Sequence, residues 1–415
     1  MMNAKILINE KNLQKKKKEK STVSVIGQYP DDNNGDILIA SLIRVLIEGN
    51  SDVRKVILNR PEKLNSLTYE MISQLTRTLR AYEIDPAVKL VILKGKGNAF
   101  CAGGDVVKAV HFILAGHWSF AASFYKKQLI LDYLLATYKK PLVALINGIV
   151  MGGGAGLTMH GRFRIVTENT VFAMPEASLG LFADVGASCF LSKLPGFFGE
   201  YLGLTGARLD GSEMLACGLA THFIASKDLL LLENALSELG CADTATIDDL
   251  VNRFKGQPPL KHQSTFRRLD TINGCFSGRT VEEILISLEN EAAKGAEKWI
   301  DKAKISMKSA SPTGLKITLR SIREGRMQNL EQCLSREYTI FRHIVRRTVS
   351  SDLFEGARAL FFNKDKKPKW EPSKLELVTE EMLDRCFTEV DGDDDWDKLQ
   401  FPDRSDFTGM AKAKL

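Results

Sequence analysis

The sequence predicts an α/β fold followed by a helical region, and three observations carry that prediction. Short continuous apolar runs alternate with segments of helical periodicity. Two of those runs lead into glycine-rich loops that open onto helical patterns. Beyond about residue 280 the texture changes to helix formers with apolar residues three and four apart, almost without strand signals.

Taken in order, residues 1 to about 38 are polar, lysine-rich and then rich in Asp, Asn and Gly, and such a segment cannot bury enough apolar surface to offset its ordering entropy. Val53 to Leu58 reads as a strand ended by Asn59-Arg60-Pro61. From Thr68 a helix follows, with Met71, Leu75, Leu79 and Tyr82 on one stripe and Asp85-Pro86 closing it. Leu90 to Leu93 is a buried strand that runs through Gly95-Lys96-Gly97 to the loop Phe100–Asp105, where Asp105 is placed to cap the next helix. A long helix is expected over Ser119 to Tyr138. A third buried strand, Pro141 to Ile146, feeds Met151–Gly156 and a further helix. The helical region predicts Glu289–Ser309, Pro312–Met327, Leu330–Thr348 and Asp352–Phe362.

Composition excludes several classes. The net charge of +6 is local, because the first 20 residues hold seven lysines and two glutamates, leaving about +1 for the other 395. A nucleic-acid reader spreads its positive charge over the folded surface, and this chain does not. The seven cysteines are scattered with no C-x-x-C, which argues against a disulfide framework and a zinc site and for thiols in a reducing compartment. No apolar run approaches the roughly 18 residues of a membrane span, and the N-terminus lacks a signal-peptide plan. The ending Ala413-Lys414-Leu415 is close to the peroxisomal S-K-L address, so a peroxisomal location and an import receptor as partner are expected.

The two glycine loops invite a phosphate-cradle reading, which fails: Gly152 to Leu157 lacks the G-x-G-x-x-G spacing and no Gly-Lys-Ser/Thr follows. Two readings remain for them, one N–H each for a single oxygen, or tight turns needed only for packing. Downstream, Glu176 directly follows the apolar segment Val171–Pro175, and Asp184 comes eight residues later. An acid among Phe, Met and Leu is either a surface residue at a strand end or a buried functional acid with a raised pKa. With no G-x-S-x-G and no H-E-x-x-H, serine-hydrolase and zincin readings lapse. The histidines cluster in no ligand pattern, and His160 and His222 read as structural.

The segments NRPEKLNSLT (59–68), KGNAFCAGGD (96–105), NGIVMGGGAGLTMHGRFRI (147–165), FAMPEASLGLFADVGAS (172–188) and LTGARLDGSEMLACGLATH (204–222) together resemble the crotonase superfamily, and within it the 3-hydroxyisobutyryl-coenzyme A hydrolases, plant peroxisomal members included. SPTGLKITLR (311–320) and LFEGARALFFNKDKKPKWEP (353–372) resemble that branch's helical extension. The resemblance implies a crotonase-like ββα-spiral core. The resemblance covers roughly residues 40 to 390, and with the composition of the two ends it divides the chain into a tail (1–38), an acyl-coenzyme A-binding catalytic domain (39–275), a helical region (276–390) and an acidic tail (391–415). It implies an acyl-coenzyme A thioester as substrate, hydrolysed in valine catabolism, with no metal and no cofactor beyond the coenzyme A the substrate brings. It places oxyanion-hole N–H groups on Gly104 and Gly153, the second helped by a helix dipole. It makes Glu176 the attacking or water-activating residue and Asp184 its acidic partner, with substrate contacts from Gln128, Gly153, Glu176 and Asp184. A monomer or dimer is expected, since the helical extension would occupy the assembly surface of other crotonases. Hydratases of the superfamily carry a second glutamate where this chain has Gly156, which counts against hydration. Three departures stand out: Gln128 for a glutamate, Ala183 for a proline, which would loosen the turn bearing Asp184, and Ala177 for a threonine, which would take a hydroxyl from the site. The alternatives are another crotonase-type hydratase or isomerase reaction, or an acyl-coenzyme A-binding paralogue without turnover.

Overall fold

The computed structural model describes residues 43–49, 52–239, 242–295, 297–389 and 398–404. The lysine-rich tail of 1–38, most of the acidic tail and Ala413–Leu415 lie outside them.

The apolar runs form the strands their composition favours. β1 (Val45–Glu48) pairs antiparallel with β2 (Val53–Leu58), and β2 runs parallel to β3 (Leu90–Gly95), in register from Val53 opposite Leu90 to Leu58 opposite Gly95. Helix α1 (Tyr69–Ile84) connects those two parallel strands; the Thr68 side chain accepts its Met71 N–H, and Met71, Ile72, Leu75 and Leu79 are buried. Asp85 leaves the helix in an extended conformation, as a residue before proline must.

From β3 onward each coil of the chain gives one strand to each of two sheets. β3 is followed by β4 (Ala99–Cys101), β5 (Leu142–Ile146) by β6 (Ile149–Met151), and β7 (Phe163–Val166) by β8 (Val171–Ala173). β9 (Leu209–Asp210) and β10 (His222–Phe223) complete the pattern. The larger sheet has the order β1-β2-β3-β5-β7-β10 and the smaller β4-β6-β8-β9. This is the ββα spiral. Strands β3 and β5 read as unbroken apolar runs because both faces of the larger sheet are covered. Leu90, Ile92, Val143 and Leu145 face one apolar cluster with Leu232, Leu236 and Val251, while Val91, Leu93, Ala144 and Ile146 face the main core.

That main core does not stop at the spiral. It takes in Met307, Leu315, Ile322, Leu334, Ile340 and Leu383 from the helical region in the same continuous cluster. The expected helix over Glu289–Ser309 is two helices, Val281–Ala293 and Lys298–Ser309, parted where Gly295 takes φ +115°. The other three begin where expected: Pro312–Gly325 and Leu330–Val345 end sooner, and Asp352–Ala357 widens into a π-helix over Arg358–Phe362, which reaches the expected end.

Candidate active site

Asp105 caps helix α2 (Val106–Leu114) through its side chain, and α3 (Trp118–Ala136) packs beside it. The loop between β4 and α2 is pinned to the segment before α1: the Leu67 N–H donates to Gly103 O at 2.8 Å and the Asp105 N–H to Leu67 O at 2.9 Å. Alternation along this extended stretch turns the intervening Gly104 N–H to the opposite side. The second loop follows β6, and a Cβ on its Gly153 would lie 3.2 Å from Gly104 N. Gly104 and Gly153 therefore stand side by side.

Gly153 opens α4, but α4 (Gly153–Gly156) is one turn and not the extended helix expected, because the chain breaks into turns before Gly161. A macrodipole builds from several aligned turns, so the dipole assistance expected at Gly153 reduces to the free N–H groups of that single turn.

All five predicted side chains and loop residues meet. Gly104, Gln128, Gly153, Glu176 and Asp184 line one cavity of about 140 Å³. Tyr125, Val110, Ile113 and Leu181 complete its walls, with Phe341 and Leu353 supplied by the helical region. The Phe341 ring stacks on Tyr125 at 4.1 Å between centroids. Ala177, buried beside Glu176, does not itself line the cavity. A larger cleft of about 540 Å³ adjoins at Ala109 and Phe124, lined by Lys108, His111, His117 and the rings of Tyr69, Phe112 and Phe120.

Of the two open readings for the acids, burial excludes the surface residue at a strand end. Glu176 begins a 3-10 turn after β8 and is buried; its Oε2 has no hydrogen-bond partner. Its Oε1 lies 2.7 Å from where a Cβ on Gly152 would sit, and Gly152 itself holds φ +48°, so a side chain there would both strain the backbone and strike the acid. Burial, then the nearby charge of Asp184, pushes the Glu176 carboxyl well above the usual carboxylate range. Burial and the Glu337 charge push Asp184 up to about 8, opposed by the Tyr125 hydroxyl beside it. Two buried acids with pKa values displaced upward can carry and release protons near neutral pH.

The turn that bears Asp184 is held, not loosened. With alanine at 183 there is an amide N–H, and it donates to the Thr318 Oγ1 at 3.1 Å. Glu337, fully buried, accepts the Gly186 N–H at 2.7 Å, the Ser188 N–H at 3.2 Å and the Ser188 hydroxyl at 2.6 Å. These contacts hold Val185, a β-branched residue at φ +55°, in a conformation that costs on the order of 1–3 kcal/mol. His160 packs against the same turn and, through burial, is driven down to about 3, so it is a neutral structural histidine. His222 likewise sits buried beside Thr221 and Asp248. Among the described residues no group of His, Cys, Asp and Glu could hold a metal, and no helix is long and apolar enough to cross a membrane.

Sequence reasoning missed Asp132, Tyr125, Thr318 and Glu337. Asp132 is signalled by its i,i+4 spacing from Gln128 on α3. Glu337 has no signal near Asp184, since 153 residues separate them. Asp132 is fully buried, and its Oδ2 lies 2.8 Å from where a Cβ on Gly156 would sit. A side chain at position 156 and this carboxyl exclude each other.

A ββα spiral whose glycine loops and two buried acids enclose one small cavity defines a crotonase-type protein. The chain belongs to the enoyl-CoA hydratase/isomerase family, whose model matches residues 53–387. It is 53% identical to the Arabidopsis thaliana protein named 3-hydroxyisobutyryl-CoA hydrolase 1, over 91% of this chain and 99% of that one. Among solved structures, a carnitinyl-CoA dehydratase from Mycobacterium thermoresistibile is 33% identical with a TM-score of 0.77, covering 86% of this chain and 98% of the other. An enoyl-CoA hydratase from Rhodobacter sphaeroides is 31% identical with a TM-score of 0.75, covering 84% and 98%.

Proposed function

We propose that this chain hydrolyses 3-hydroxyisobutyryl-coenzyme A to the hydroxy acid and free coenzyme A, a step in valine catabolism. The observation that carries the reading is the buried Glu176 Oε2, unpartnered in the same cavity as Gly104 and Gly153, while Asp132 fills the space a second glutamate at 156 would need. Hydratases of the superfamily carry their second glutamate at the position of Gly156, and here that position has no side chain to move a proton. A cavity of about 140 Å³ suits a short branched acyl group, being close to the roughly 150 Å³ that admits benzene in another protein.

In this reading the thioester carbonyl oxygen takes the N–H groups of Gly104 and Gly153. Glu176 attacks the carbonyl carbon directly or removes a proton from the water that does. Either route makes one C–O bond and places the C=O electron pair on the oxygen held by those N–H groups. Collapse of this intermediate breaks the C–S bond, and the departing thiolate takes a proton from Asp184 or, on the water route, from the Glu176–Asp184 pair. On the direct route a water then adds to the mixed anhydride left on Glu176, gives its proton to Asp184, and cleaves the acyl–oxygen bond to free the hydroxy acid and restore the Glu176 carboxylate. The coenzyme follows the larger cleft, where Lys108 offers positive charge to its phosphates beside Glu70 and Asp105, and the rings of Tyr69, Phe112 and Phe120 offer faces to its base. The protein needs no metal or further cofactor, because coenzyme A arrives with the substrate. We further assign a peroxisomal address to Ala413-Lys414-Leu415, to be tested by its deletion in a tagged chain, and a monomeric or dimeric state, to be tested by light scattering.

The deciding experiment is thiol release from 3-hydroxyisobutyryl-coenzyme A, with Glu176→Gln as control. Turnover lost in the variant supports the hydrolase. A folded protein that binds the thioester and releases no thiol overturns it in favour of a binding role.

A further inference from the structure

Gln128 and Asp132 stand one turn apart on α3, and Gln128 Nε2 donates to Asp132 Oδ1 at 2.7 Å. The other end of each group is unmatched: Gln128 Oε1 and Asp132 Oδ2 are both buried without a hydrogen-bond partner. Only Gln128 reaches the cavity wall; Asp132 lies behind it, against Gly156. A carboxamide has one donor end and one acceptor end. A carboxyl oxygen that takes the NH₂ group therefore decides that the carbonyl faces the other way.

We propose that Asp132 is a positioning residue that locks the Gln128 amide with its carbonyl toward the acyl group, so that the cavity selects acyl thioesters carrying a hydroxyl over their deoxy counterparts. The proposal rests on the acyl-thioester reading of the cavity. A buried acceptor left without a partner costs about 1–3 kcal/mol. A substrate hydroxyl satisfies it and a methyl group does not, and sites built this way reject the analogue that lacks the donor. The pair also accounts for glutamine at 128. Burial holds the Asp132 carboxyl well above the usual carboxylate range, so a glutamate there would share a proton with it across the 2.7 Å now spanned by the hydrogen bond, and the fixed sense that the NH₂ group imposes would be lost. Amide and carboxyl thus form a unit that tolerates exchange of its members but not two of a kind.

The test measures binding, so that it does not depend on turnover. The probes are two thioethers of coenzyme A, one bearing a 3-hydroxy-2-methylpropyl group and one an isobutyl group, with affinities taken by calorimetry. The wild-type protein is expected to bind the hydroxylated probe about tenfold more tightly, the worth of one hydrogen bond. Gln128→Glu brings the two acids together, and Asp132→Asn lets two amides pair in either sense; each lowers the ratio toward one. Gln128→Glu combined with Asp132→Asn restores it, which keeps the test independent of folding defects in either single variant. A wild-type ratio near one, single variants that keep the wild-type ratio, or a double variant no better than the singles overturns the proposal. Discrimination without thiol release sinks the hydrolase and leaves the proposal standing. Thiol release without discrimination does the reverse, and failure of both probes to bind overturns the proposal whatever the thiol assay gives.

Discussion

Glu337 Oε2 accepts the Gly186 N–H at 2.7 Å, and through that contact a helix of the C-terminal region holds the turn on which Asp184 sits. The same carboxyl takes the Ser188 hydroxyl and N–H on its other oxygen, so both lone-pair faces are engaged. Replacement by glutamine turns one acceptor into a donor facing an N–H. Glu337→Gln is expected to lower kcat by about 10- to 100-fold through misplacement of Asp184. It also removes a charge that raises Asp184, so the limb of the pH–rate profile governed by Asp184 moves to lower pH, which a purely structural defect would not produce. The groups that interact with Asp184 are Tyr125, Asp132, Glu176 and Glu337.

Stability should fall as pH rises because of the same acids. Asp184 is raised from 3.8 to about 8 and Glu337 from 4.5 to about 7, each chiefly by burial. A group whose folded pKa lies above its unfolded value contributes stability that is fully present below the unfolded pKa and is lost as pH climbs through the folded one. Asp184→Asn removes the titration. Wild-type Tm should therefore drop more steeply than that of the variant between pH 4 and 8, as followed by thermal denaturation; parallel curves would refute the assignment.

Thr318 has a job only because residue 183 is alanine. Its Oγ1 accepts the Ala183 N–H inside the core, where an unpartnered N–H costs about 1–3 kcal/mol. Thr318→Val should lower stability by that amount in urea denaturation. In an Ala183→Pro background, with no N–H to satisfy, the same substitution should cost distinctly less.

Gly156 and Asp132 compete for one volume. Gly156→Ala places its Cβ 2.8 Å from Asp132 Oδ2 and 2.9 Å from Val185 Cβ, an overpacking expected to cost about 1–3 kcal/mol. Asp132→Ala in the same chain should recover part of that loss by removing one of the two obstacles. A Tm for Gly156→Ala equal to that of the wild type would contradict the packing described.

Legibility followed the physics of each signal. Strands β3 and β5 could be read because parallel strands buried on both faces leave unbroken apolar runs, and β2 because its β-branched and apolar residues end at Asn59-Arg60-Pro61. β9 and β10, two residues each, carry no period and escaped. The break at Gly295 was hidden by good helix formers on either side of it. Residues 104, 128, 153, 176 and 184 were named through motif resemblance, since their spacing alone left surface and buried readings open for the acids.

The sequence by itself determined the α/β class and the helical region, because hydrophobic runs and periodicity are local properties of a chain, while its motifs, through their resemblance, pointed to the spiral and to the candidate site residues. Only the tertiary structure decided that Glu176 and Asp184 are buried with raised pKa values, that Asp132 orients Gln128 and excludes a side chain at 156, and that Thr318 and Glu337 brace the Asp184 turn. Those facts depend on desolvation and on contacts between groups as many as 153 residues apart, and neither quantity exists until the chain has folded.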